Sequence, residues 1–416
     1  MTPADSVFLR RNKPDVLCIC GGIGFPAGLA STQRITLICR ALVEQNLAVH
    51  LFHCGPSPTD RNTLVSGSHH GISYQYLGAR FTRPRSTCAR ILAYATAYLH
   101  LTARLLLTRA AGCTPHVYLY MHGGLPNLYV AALCNLLHFP VVQEVCEWPP
   151  SWPSSGKGTV FIYNRLLFRH CAAVLVISET IEHNIKRLSV FAKRLFPIVR
   201  IPVLVDPSEV STDTSVSPPH PVLVWCGDAS GYIRDVLFFI DVLAELRKQR
   251  HNCFLEIIGE TSKQVTEQIH GRLAELNMPV TQVRVLGYLT RREMLNHCHD
   301  GTAVMLPLWD DERSRSRFPN KLGEYLLQGV PVVTCLIGEV GRYLKDSETA
   351  IIYRTGDVVD CARAVLVLVT DQETRDAVGR TGKLLAERLF AYQVYGYQLA
   401  RLFRKGQIGL SLESGT

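Results

Sequence analysis

The chain has 416 residues, 47% hydrophobic and 19% charged, which is too apolar for a disordered polymer and too long for one ordinary core, so two to three domain-sized units are expected. Its net charge of +9 is uneven: residues 1–210 carry 20 basic and 10 acidic side chains, residues 211–416 carry 24 and 25. A basic first half admits nucleic acid, an anionic membrane surface or a phosphorylated substrate as partner, while the 14 cysteines contain no C-x-x-C pair, which excludes a zinc-ribbon or dithiol reading and suits buried thiols in a reducing cytosol.

The opening MTPADSVFLRRNKPD has no apolar core of a leader peptide, and the most apolar stretch, Cys88 to Leu107, is broken by Arg90, His100 and Arg104. A cytoplasmic protein, peripheral at most on the inner face of the plasma membrane, is expected. DVLCICGG reads as a buried strand ending in glycines. A helix follows over about Ser31 to Gln45, then the strand LAVHLFH. The alternation continues through HVYLYMHGG, NLYVAALCNLL, PVVQEV, CAAVLVIS and the helix ETIEHNIKRL, as in a parallel sheet with crossover helices. Residues 1–205 are therefore expected to form a doubly wound α/β domain. Residues 206–220, rich in Pro, Ser, Thr and Asp, form a linker, and 221–388 a second such domain with strands PVLVWCG, CFLEIIG, VRVLG, GTAVMLPL and VPVVT. Residues 389–416 supply the end of one long amphipathic helix, running from LLAERL through LARLFRK and crossing back to the first domain, and then a tail. Ligands of doubly wound sheets bind at the carboxyl ends of strands, and two such domains in tandem face each other across a cleft.

The most specific stretch is RFPNKLGEYLLQGVPVVT, Arg317 to Thr334. Pro319, Lys321, Glu324, Tyr325, Leu326, Gly329, Pro331, Val332 and Val333 match the core P-x-K-x-x-E-[YA]-[LM]-x-x-G-x-P-V-V of the retaining glycosyltransferases of the GT-B fold, and here the chain resembles family four, the glycosyl transferases group 1. The strand and glycines at Cys20 to Gly24, the VLVISE run, the IPVLVD run, GDASGYIRDV and VLGYLTRREM follow in the expected order. The resemblance implies two Rossmann-like domains. It also implies transfer of a hexosyl group from a nucleoside-diphosphate sugar to a saccharide or lipid-linked hydroxyl acceptor, with no obligatory cofactor or metal, in glycan, exopolysaccharide or glycolipid synthesis. Two other readings stay open: a nucleotide-sugar epimerase of the same fold and a non-catalytic, degenerate transferase subunit. No ribonucleoprotein motif, zinc module or recognition helix supports a nucleic-acid partner.

On this resemblance Glu324 accepts hydrogen bonds from ribose hydroxyls, since one carboxylate takes two vicinal O–H donors. Lys321 and Arg234 face the diphosphate, whose charge grows as the glycosidic bond breaks. Gly227, Gly231, Leu289 and Asn320 complete the donor side, and Gly22, Gly24 and Arg34 are its partners in the first domain. Glu144 and Glu147, at the exit of VVQEV, are expected to orient or deprotonate the acceptor, and His122 is a further strand-end candidate. The family's paired-glutamate motif expects a carboxylate at position 316, which is Ser316, and its usual Gly-Arg turn expects an arginine at 228, which is Asp228. His297, Cys298 and His299 alternate on a helix and point apart, which argues against a metal site. Arg85 to Arg109 and Lys186 to Arg200 interleave cations with Leu, Phe and Tyr, a pattern suited to a membrane surface.

Overall fold

The computed structural model describes residues 13–78, 81–121, 123–152, 155–188, 195–211 and 220–404. His122, most of the expected linker, part of the 186–200 basic run and the terminal GQIGLSLESGT lie outside the described residues. The chain divides into two compact units: one holds the residues up to Leu204 and from Tyr392 onward, the other Val205–Ala391.

The first unit is built on eight strands: β1 (Val16–Cys20), β2 (Val49–Cys54), β3 (Ser66–His69), β4 (Ile72–Leu77), β5 (His116–Tyr120), β6 (Val141–Val145), β7 (Ala173–Val176) and β8 (Ile198–Arg200). They run in the order β3-β4-β2-β1-β5-β6-β7-β8, all parallel except β3, which folds back antiparallel on β4. Every residue of β1, β2, β5, β6 and β7 is buried, as continuous apolar runs must be when helices cover both faces of a sheet. Those helices are α1 (Ala30–Glu44), α2 (Thr87–Ala110), α3 (Leu125–Leu136), α4 (Lys157–Arg165) and α5 (Glu179–Lys186). β3 is not apparent from sequence because SGSH is polar and mostly exposed; the turn His70–Gly71, both at positive φ, makes it a hairpin edge.

The second unit holds β9 (Val222–Cys226), β10 (Phe254–Ile258), β11 (Val283–Gly287), β12 (Ala303–Leu306), β13 (Val332–Thr334) and β14 (Ile351–Ile352), all parallel, in the order β11-β10-β9-β12-β13-β14. Helices α6 (Ile233–Lys248), α7 (Lys263–Glu275), α8 (Arg291–Asp300), α9 (Glu312–Ser316), α10 (Asn320–Leu327), α11 (Val358–Thr370) and α12 (Gln372–Leu389) flank it. α10 stops where Gly329 takes φ +73° and Pro331 removes a donor.

The long C-terminal helix expected from LLAERL onward is interrupted. α12 ends at Leu389, a short 3-10 turn spans Tyr392–Tyr395, and a separate helix, α13 (Gly396–Phe403), follows. The break has a packing cause in each unit. Phe390 is fully buried against Phe318 and Tyr343 of the second unit. In the first unit, Tyr392 accepts a hydrogen bond from Arg40 (2.8 Å) and donates one to Glu44, and α13 buries Leu399, Ala400, Leu402 and Phe403.

Candidate active site

The strand order of the second unit reverses between β9 and β12, so the carboxyl ends of these two strands bound its switch-point crevice. The loop after β9 opens with Gly227, where a Cβ would come within 2.7 Å of the Trp225 ring, and Gly227 itself lies so close to Gly259 that a Cβ there would sit 1.8 Å from its carbonyl oxygen. Asp228, in the place where the resemblance expects an arginine, is a turn former: its Oδ1 accepts the Ser230 amide at 3.0 Å. Gly231 lies exposed at the end of that turn.

The loop after β12 leads through α9 into α10. Asn320 opens α10, half-buried, and Lys321 follows, half-buried and, among the described residues, with no hydrogen bond or ion pair from its side chain. Glu324, one turn on, is 4% exposed. Its Oε1 accepts a hydrogen bond from Arg291 Nη1 at 2.9 Å, and Oε2 accepts none among the described residues. Burial pushes the Glu324 carboxyl up, but the charges of Arg291 and Lys321 outweigh it and hold it below the ordinary value. Glu324 is therefore an ionised carboxylate with one oxygen fixed and the other available.

Arg291 has no signal in the sequence. It is the first residue of α8, whose start is set by a capping box between Thr290 and Glu293, and the half-buried Leu289 lies just before the cap. Besides Glu324, its guanidinium grips Glu209 through Nε at 2.8 Å and Nη2 at 2.7 Å. Glu209 belongs to a segment of the same unit that is tied down through Gln328, which accepts from the Ser211 amide and donates to the Glu209 carbonyl. Only tertiary folding brings residues 209, 291 and 324 together.

Arg234, exposed on the first turn of α6, stacks its guanidinium 3.4 Å from the centroid of the Trp309 ring. Trp309 Nε1 donates to Asp235 Oδ1 at 2.8 Å. Burial pushes the Asp235 carboxyl up to about 6, against the Trp309 hydrogen bond and the charges of Arg317, Arg234 and Arg313. A carboxyl raised on folding stabilises the folded state at low pH, and that contribution is lost as pH rises from about 4 to about 6. Asp235→Asn is thus expected to abolish this dependence and to be about 1–3 kcal/mol more stable than the parent protein at neutral pH; urea unfolding on both sides of the window checks it.

His297, Cys298 and His299 turn to three different partners: Glu256 Oε2 (2.8 Å), the buried Cys226 thiol (3.7 Å) and the Gln328 carbonyl (3.0 Å). Ser316 is buried and donates to the Arg313 carbonyl at 3.1 Å.

In the first unit the loop from Gly21 to Leu29 lies at the carboxyl end of β1, beside which that sheet reverses. Gly22 takes φ +76° with open space where a side chain would be, and the Gly24 carbonyl accepts the Thr32 hydroxyl at 2.5 Å. Arg34 and Glu144, expected as binding and catalytic residues, lie in the core of this unit. Both are buried, 2% and 0% exposed, and they bind each other. Glu144 Oε1 accepts from Arg34 Nε (2.9 Å) and Nη2 (2.8 Å), its Oε2 accepts from the Tyr118 hydroxyl (2.9 Å), and Arg34 also donates to the Pro202 and Ile201 carbonyls. The physical reason is that a helix face and a strand buried in one core cannot leave opposite charges unpaired. Glu147, three residues on, is half-buried and its side chain makes no hydrogen bond or ion pair among the described residues.

Residues 220–371 match the family model described as glycosyl transferases group 1. Among solved structures the chain is similar to Anabaena HepE in complex with UDP and glucose, at a TM-score of 0.69 and 15% identity over 93% of this chain and 98% of that one. It is similar too to sucrose-phosphate synthase from Thermosynechococcus elongatus (TM-score 0.71, 15% identity, 94% and 98% covered) and to the trehalose-6-phosphate synthase OtsA (0.63, 11%, 94% and 99%). A comparison with curated proteins finds no match. The chain therefore has the GT-B fold of these structures, and its residues 220–371 match the glycosyl transferases group 1 family model.

Proposed function

We propose that this chain moves a hexosyl group from a nucleoside-diphosphate sugar to a hydroxyl acceptor with retention at the anomeric carbon, in glycan, exopolysaccharide or glycolipid synthesis. The observation that carries the reading is Glu324, ionised and fixed by Arg291 with Oε2 open beside the unpaired Lys321. One oxygen is held by the protein and one is left for a ribose hydroxyl. The UDP and glucose held by HepE support a donor of this kind.

In this reading Lys321 and Arg234 take up the charge that develops on the diphosphate as the bond to the anomeric carbon breaks. Two fixed cations there do the work otherwise asked of a metal. The acceptor oxygen attacks from the face the phosphate leaves, its proton passes to the departing phosphate oxygen, and Glu147 orients the acceptor. Gly22 and Gly24 give the first unit a glycine loop at a strand end, of the kind whose backbone N–H groups suit a phosphate. The slow hydrolysis of a donor such as UDP-glucose, followed by proton NMR, tests the stereochemistry without an acceptor. The α-anomer should form first and vanish with Glu324→Ala, whereas initial β-anomer contradicts retention.

The same reading includes an anionic membrane as the site of the acceptor. α2 is long and apolar enough to span a bilayer by length and composition, but Ala93, Ala97, Leu101 and Leu105 pack inward while Ile91, Leu92, Leu99 and Leu106 are 50–68% exposed. Arg83, Arg85 and Arg109 are exposed on this helix and its approach, and no acidic residue occurs between Asp60 and Glu144. Such a face suits shallow insertion among anionic headgroups. The protein is expected to sediment with phosphatidylglycerol vesicles and not with phosphatidylcholine ones, and Leu92→Glu with Leu99→Glu should cut that binding at least about tenfold; unchanged sedimentation of the double variant would refute it.

A further inference from the structure

Three guanidinium groups crowd the switch-point crevice of the second unit without a carboxylate partner. Arg313 Nη2 and Arg317 Nη1 both donate to the hydroxyl oxygen of Tyr232, at 2.8 and 3.0 Å, and their charges lie over or beside its ring, 5.3 and 5.5 Å from the centroid. Arg234 lies on Trp309 nearby. Among the described residues none of the three has an acidic side chain within ion-pair distance, whereas Arg315, between two of them in sequence, is paired with Asp310 at 2.6 Å. The Nε of Arg317 is buried and has no hydrogen-bond partner. Asp235 feels all three charges, and its Oδ1 accepts the Trp309 indole N–H.

Two like charges held on one hydroxyl repel each other, and a buried guanidinium nitrogen without an acceptor costs free energy; a bound anion relieves both. The diphosphate does not account for this surplus. In the reading given above it carries one negative charge per phosphate, and Lys321 and Arg234 already match them. Arg313 and Arg317 remain, with Asp235 offsetting at most one. Ser316, between the two in sequence, is neutral, buried and turned to the Arg313 carbonyl. A site meant to grip the hydroxyls of a neutral sugar gains from a carboxylate acceptor there. One meant to grip a carboxylate gains from its removal.

We infer that the sugar transferred is itself an acid, a hexuronic acid whose carboxylate is bound by the Arg313–Arg317 pair on Tyr232. The inference rests on the donor-site reading of Glu324 and Lys321 and adds the class of sugar.

The test is calorimetric titration of the full-length protein with UDP, UDP-glucose and UDP-glucuronate, and with GDP, GDP-mannose and GDP-mannuronate. It is repeated on Arg313→Gln, Arg317→Gln and the double variant, each checked for an unchanged circular dichroism melt. The uronate should bind at least about tenfold more tightly than the neutral sugar on the same nucleotide, and the double variant should cut that preference to less than about threefold while the bare diphosphate loses less than about threefold. Equal binding of uronate and neutral sugar by the parent protein overturns the inference. An equal loss for the bare diphosphate and the uronate overturns it too, because the pair then serves the phosphates. If a folded parent protein binds none of the six and none of ADP, CDP and TDP, the donor-site reading itself fails and this inference with it; nucleotide binding without uronate preference removes this inference alone.

Discussion

Arg34→Met and Glu144→Ala are each expected to destabilise the first unit by about 3–5 kcal/mol, the cost of leaving one member of a buried ion pair without its partner. For a unit of this size that corresponds to a fall in Tm of roughly 10 °C. Arg34 donates to Glu144 through two nitrogens and to two backbone carbonyls, and Glu144 also holds the Tyr118 hydroxyl. Either truncation leaves buried polar groups unsatisfied, whereas Arg34→Met combined with Glu144→Leu removes both charges and should cost less than the sum of the single changes. Calorimetric unfolding of the three variants measures this. Nucleotide affinity in the folded fraction should be unaltered, because the pair belongs to the core of the first unit. A single variant that keeps its Tm and loses turnover would return these residues to the chemistry.

Arg291→Gln should weaken nucleoside diphosphate binding about tenfold to a hundredfold, or about 1–3 kcal/mol, the range for a hydrogen bond to a charged group. Arg291 does not touch the ribose in this account; it fixes Glu324 and keeps it ionised. The loss should therefore be larger for a ribonucleotide than for its 2′,3′-dideoxy analogue, which presents no hydroxyl to the carboxylate. The pH response gives a second readout. With Arg291 present the carboxyl sits below its ordinary value, so affinity should stay flat down to mildly acid pH. Without it, burial raises the carboxyl, and affinity should fall as pH drops through the raised value. A variant that loses ribo- and dideoxynucleotide affinity equally would make Arg291 merely structural.

Much of this was legible in the sequence where local pattern and tertiary role coincide. Buried strands such as VLCIC and VLVWC are continuous apolar runs, glycines mark their exits, and the stretch from Pro319 to Val333 carries the helix, its stop and the next strand in one reading frame. Partnerships across distant segments were not legible. Nothing local tells Arg34 that residue 144 is its counter-ion, or Arg291 that residues 209 and 324 share it. The polar edge strand β3 and the break after Leu389 escaped for the same reason: a hairpin turn decides the first and the separate burial of Phe390 and Tyr392 the second. Nothing local shows that the arginines at 313 and 317 share the Tyr232 hydroxyl.

The account stands most directly on nucleotide binding at Glu324. Calorimetric titration of the purified protein with UDP, GDP, ADP, CDP and TDP, repeated on Glu324→Ala, should show saturable binding of one nucleotide that is lost in the variant. A folded protein that binds none of the five, or a Glu324→Ala variant that binds as well as its parent, would contradict the donor site and with it the transferase reading.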